Sequence, residues 1–171
     1  MPATYKAIAT VTVGSGGTSG IQFTNIPQTY TDLVIQVSAR DSRNLYIDDF
    51  GIQINGSTTN FSYKALYGNS GSGAAVASGS YSVTGVWNAA TATASSFGNA
   101  TIYIPNYTSS TVKSISGDSV NETNATTAQQ WLTATLWNNT AAITSITIVG
   151  NDTPTTIVQH STATLYGIKN S

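Results

Sequence analysis

Apart from tyrosines, the 171-residue sequence offers little ionisable chemistry: seven acids, six basic residues and one histidine. The acids are Asp32, Asp41, Asp48, Asp49, Asp118, Glu122 and Asp152. Hydrolysis of a glycosidic bond needs two opposed carboxyl groups about 5–10 Å apart. Asp48 and Asp49 are adjacent, and neighbours on a strand point to opposite faces, so either would need a distant partner. Glu122, the sole glutamate, falls in an Asn- and Thr-rich stretch that reads as a loop. His160 stands beside Ser161, but no Gly-x-Ser-x-Gly elbow accompanies the pair. It reads as a polar strand residue. With no cysteine and one histidine, the sequence holds no transition-metal ligand set.

Charge concentrates between Asp41 and Asp49, with Asp41, Arg43, Asp48 and Asp49 close together and Arg40 just before them. Calcium takes about six to eight oxygens, but this stretch lacks the sixth-position glycine and twelfth-position glutamate of an EF-hand. Arg40 and Arg43 are near enough to neutralise the acids, so the reading is a charged loop with local ion pairs that can also form a contact with a partner. Trp87, Trp131, Trp137 and the nine tyrosines suit either a sugar-stacking platform or, the preferred reading, core and subunit contacts. Gly14 to Gly17 is no phosphate loop, since no helix pattern follows it. No catalytic residue, metal or cofactor is expected.

Composition narrows the class. Only 8% of residues are charged, against about 25% in an ordinary domain. The net charge is −1, which gives no electrostatic reason to bind nucleic acid or an anionic membrane. Hydrophobic residues make up 40%, and the polar remainder is mostly Thr, Ser, Asn and Gly, a mixture that suits strands and turns. A surface so poor in charge suits a chain held in an assembly. No signal-peptide pattern opens the sequence, and no apolar run nears the roughly 20 residues of a membrane span, so synthesis in a cytoplasm is expected.

The elements that must position these residues read as strands throughout. Thr31 to Arg40 is the clearest, with Leu33, Ile35, Val37 and Ala39 on one face. Asn55-Gly56 marks a turn. Gly68 to Ser80 reads as a flexible Gly/Ser/Ala loop, Asn88 to Ser96 as irregular with room for a helical turn, and Thr111 to Val120 as a strand giving Val112 and Ile115 to a core. Gln130 to Val149 reads as a β-hairpin turning at Asn138-Asn139-Thr140. Its core face is expected to be Leu132, Ala134, Leu136, Ile146 and Ile148, with Trp131, Thr133, Thr135 and Trp137 on the other. Residues 1–171 are expected to form one all-β domain, an antiparallel sandwich of about ten strands with jelly-roll topology.

Four phrases occur together: IPQTYTDLVIQVSAR from Ile26, IPNYTSS from Ile104, LWNNTAAITSITI from Leu136, and STATLYGIKNS at the end. Across Tyr5 to Ser171 the chain resembles small virion-associated proteins of tailed bacteriophages, including cyanophages. Gly68 to Ser80 and Asn88 to Ser96 carry none of that likeness. The resemblance implies a non-enzymatic β-sandwich of the particle. It would be a capsid decoration or cement protein on the virion surface, bound to the major capsid protein and to copies of itself, with a trimer as one such assembly. The alternative is a carbohydrate-binding module of the tail or fibre, using Trp131 and Trp137. Expected partner contacts are Tyr5, Arg40, Asp41, Arg43, Asp48, Asp49, Trp131 and Trp137, with no nucleic acid or membrane partner.

Overall fold

The structure, a computed structural model, describes residues 4–69, 72–122, 124, 126–152 and 155–169. Strands and turns account for it, with no helix among the described residues. In chain order the strands are β1 (Thr4–Thr12), β2 (Gly20–Phe23), β3 (Asp32–Ala39), β4 (Ile47–Ile54), β5 (Phe61–Asn69) and β6 (Ser72–Gly79). They continue with β7 (Gly85–Asn88), β8 (Gly98–Ile104), β9 (Lys113–Glu122), β10 (Ala128–Trp137), β11 (Ile146–Gly150) and β12 (Thr162–Lys169).

All pairings between these strands are antiparallel. They build an eight-stranded sheet, β1-β12-β3-β8-β9-β10-β5-β6, and a four-stranded sheet, β2-β11-β4-β7. Without β5, β6, β9 and β10, the large sheet is β1-β12-β3-β8 and matches the small one in size. The β5–β6 pair is inserted between β4 and β7, and the β9–β10 pair between β8 and β11. Together these four strands extend the large sheet past β8.

The main core fills the space between the sheets. Leu33, Ile35, Ile102, Ile104 and Leu165 from the large sheet face Ile21, Phe50, Ile52, Ile54, Ile146 and Ile148 from the small one, all buried. Full burial of such a side chain contributes about 1.5–3 kcal/mol. β3 follows its sequence pattern: Leu33, Ile35, Val37 and Ala39 are buried while Gln36 and Ser38 are exposed. Asn55 and Gly56 take the positive φ values that their turn requires, 53° and 75°.

Several expectations fail. β10 and β11 are not a hairpin. β10 pairs with β9 and β5, whereas β11 lies between β2 and β4 in the other sheet. Residues 138–145 carry the chain across. The face of β10 is also inverted. Leu132 and Leu136 are 47% and 36% exposed, whereas Thr133, Thr135 and Trp137 are buried.

The cause is what covers the sheet extension. Residues 82–84 run across it, and their carbonyls need donors. Thr133 Oγ1 donates to the Thr84 carbonyl at 3.1 Å, and Thr135 Oγ1 donates to that of Val83. A leucine there would leave a buried carbonyl unpaired, at a cost of about 1–3 kcal/mol that offsets the apolar burial it would gain.

Gly68 to Ser80 is largely strand, as the end of β5 and all of β6. Its small residues show no alternation, and pairing with β5 in the register Ala65–Ala77 makes it a strand. Residues 70 and 71 of that stretch lie outside the described residues. Asn88 to Ser96 forms turns without a helix. Val112 is 44% exposed just before β9, while Ile115 joins the core. His160 sits in an exposed turn at φ 72° before β12, not in a strand, with its N–H donated to Val13.

Candidate functional site

The charged residues gather where β4 starts. Asp41 is 1% exposed, and Asp48, the second residue of β4, is 4% exposed. Asp41 accepts a hydrogen bond from Trp87 Nε1 at 2.8 Å and another from its near neighbour Arg43 N at 3.1 Å. Trp87 stacks on Phe50 with ring centres 4.6 Å apart, so the core itself holds the donor in place. Asp48 Oδ1 accepts from the Arg43 guanidinium at 2.5 Å and from Asp49 N at 3.1 Å. Arg43 also pairs with Asp152, which the chain brings in after β11.

Asp48, Asp49 and Asp152 each place a carboxylate oxygen within 4.8 Å of the others, and they are the candidate metal ligands among the described residues. Arg43 already bridges the first and third. Burial, reinforced by the neighbouring Asp41 and opposed by Arg43, pushes the Asp48 carboxyl up to about 7. Burial also raises Asp49, against a hydrogen bond from Asn151. The corner can therefore hold a proton near neutrality.

Arg40 does something different. Its guanidinium donates to four carbonyls, those of Ala90, Ala92, Thr93 and Ser96. Glu122 grips the same turn from the end of β9, accepting from Thr93 N, Thr93 Oγ1 and Ser96 Oγ at 2.8–3.0 Å. Neither residue is a loop charge waiting for a partner. They replace the hydrogen bonds that a segment without regular structure cannot make to itself.

The expected contact residues therefore divide. Asp41, Asp48 and Trp137 are buried and cannot meet a partner, and Arg40 is committed to its turn. Tyr5 is 62% exposed on the edge strand β1, its ring edge-on to Tyr166. Arg43 and Asp49 are partly exposed within the ion-paired corner. Trp131 is half-buried, stacked on Tyr67 with ring centres 4.3 Å apart. Trp137 lies at the sandwich core, stacked on Phe61. A sugar platform made of Trp131 and Trp137 together is thus ruled out by the burial of one of its two rings.

Two surfaces escaped the sequence reading. On the outer face of β10 and β5, Leu132 lies directly opposite Leu66, and Leu136 follows on the same face of β10. All three are substantially exposed, Leu66 at 47%. Strict alternation in β10 revealed two faces but not which one the rest of the chain covers. The second surface is a groove over the outer face of the small sheet, reached by Gln22, Gln53, Asp49 and Asp152. Gln22 and Gln53 both sit opposite Thr147 in the register, a relation between distant segments that has no local sign. No family model, no curated protein and no solved structure matches this chain.

Proposed function

We propose that this chain is a non-enzymatic structural protein of a tailed-phage particle, a capsid decoration subunit that binds the major capsid protein and further copies of itself on the outer surface of the shell. The observation that carries this reading is the leucine row on the sheet extension, Leu66, Leu132 and Leu136. Exposed leucines aligned on one face, flanked by the exposed Lys64 and Asp118, suit a face that another protein covers. The strand order supports the framework assumed: β1-β12-β3-β8 against β2-β11-β4-β7 is consistent with a jelly roll, in which β5–β6 and β9–β10 would be inserted arms. Under this reading the arms present the binding face and the jelly roll holds them. Cross-bridging of neighbouring capsid subunits would then oppose expansion of the shell, since many modest contacts act together.

The test is addition of purified protein to capsids that lack it, followed by imaging. Density on the outer surface bridging capsid subunits is expected, with occupancy reduced by Leu66→Ser and Leu132→Ser. Density confined to the tail, or no binding to any part of the particle, sinks the reading.

A further inference from the structure

A different surface carries an inference that does not rest on assembly. The groove over the outer face of the small sheet encloses about 940 Å³, a size range used by small-molecule sites. Its floor carries Gln22 on β2 and Gln53 on β4, which flank Thr147 of the intervening β11. Ile21, Phe23, Ile52 and Ile54 point the other way into the core, so the glutamines must point outward. Neither amide has a hydrogen-bond partner among the described residues.

The walls are more constrained. Tyr81 is 46% exposed, yet its ring is held. It meets Tyr63 edge-on with ring centres 5.2 Å apart, and the two hydroxyls lie 3.3 Å apart. Gly79 leaves the room for this, since a Cβ there would come within 2.8 Å of each ring. At the end of the groove Asn151 donates to Asp49 at 3.2 Å, and Asp152 is tied to Arg43. Gly51 lets Asn151 approach, because a Cβ there would meet Asn151 Oδ1 at 2.9 Å.

We propose that this groove is a binding site for a neutral saccharide. The chemistry of the lining selects that class. Free amides both donate and accept, as sugar hydroxyls do, and carboxylates accept from hydroxyls. A held aromatic ring offers an apolar face to a sugar ring with little further loss of side-chain freedom. No Lys or Arg is among the described residues lining the groove, and the Arg43 guanidinium beside it is already paired with Asp48 and Asp152, so an anionic ligand would meet Asp49 and Asp152 with no free counter-charge. An apolar ligand would strip water from the amides and acids without replacing their hydrogen bonds.

The experiment is an NMR titration of the full chain with maltohexaose and with cellohexaose, alongside an array of neutral glycans, with spermidine as the cationic control. Saturable shifts of the Gln22, Gln53 and Asn151 side-chain amides are expected with at least one neutral glycan. Tyr81→Ala is expected to weaken that binding about tenfold, while Tyr81→Phe keeps it within about threefold, as the ring rather than the hydroxyl makes the contact. Gln53→Ala, an outward-facing change, is expected to weaken binding with the fold unaltered. Absence of binding across both hexasaccharides and the array overturns the proposal. So does saturable binding that Tyr81→Ala leaves unchanged, or a groove that responds to spermidine and to no neutral glycan.

Discussion

Asp48 lies beside Asp41 in a buried corner, and Arg43 reaches Asp48 but not the far side of its carboxyl. Asp48 Oδ2 has no donor among the described residues. A proton on Asp48 removes that deficit, because the protonated group can donate to Asp41. The shape of the corner thus favours the neutral acid.

The consequence for stability has a definite sign. The Asp48 carboxyl ionises near its usual 3.8 when unfolded and at about 7 when folded. The folded state therefore holds a proton that the unfolded state has lost across that interval. Stability from this group is fully present below the lower value and is lost as pH rises to the upper one. Burial shifts Asp49 the same way. Thermal unfolding is expected at a higher temperature near about pH 5 than near about pH 8. Asp48→Asn keeps an acceptor for Arg43 and is expected to flatten that dependence. An unchanged slope in the variant would contradict the assignment.

The inverted face of β10 makes an unusual pair of mutations informative. Leu132→Ser exchanges an exposed leucine for a polar residue and is expected to alter folding stability by no more than about 0.5 kcal/mol. Thr133→Val keeps the shape but removes the donor to the buried Thr84 carbonyl, and is expected to cost about 1–3 kcal/mol. Urea unfolding of the two variants checks the order. A hairpin with leucines inside would give the reverse.

Arg40 and Glu122 hold one turn from two sides, so their effects should not add. Arg40→Lys replaces a planar fork with a compact ammonium that cannot reach all four carbonyls, and is expected to cost about 2 kcal/mol. Once Arg40 is lost, Glu122→Gln is expected to cost less than it does alone, since both stabilise the segment from Ala90 to Ser96. Denaturation midpoints for the two single variants and the double variant measure the coupling. Full additivity would show that the two residues stabilise the protein independently and do not share the turn.

Read without its fold, the chain already declares its class. Its Thr, Asn and Gly content makes strands and turns, and β3 shows its inner face through Leu33, Ile35 and Val37 alone. Ile146 and Ile148 are core for the same reason, and Asn55-Gly56 could only be a turn. These are local facts, fixed by the two-residue period and by backbone sterics. β10 marks where local facts stop. Its alternation is as clear as that of β3, yet the threonines go inside because the backbone of residues 82–84, distant in sequence, needs donors there. The acidic corner depends on distance too, since Arg43 and Asp152 meet across a separation of 109 residues. The leucine row and the glutamine groove likewise arise from strands paired across the chain. Periodicity sorts residues onto faces, but only the path of the chain decides which face is covered and which side chains meet.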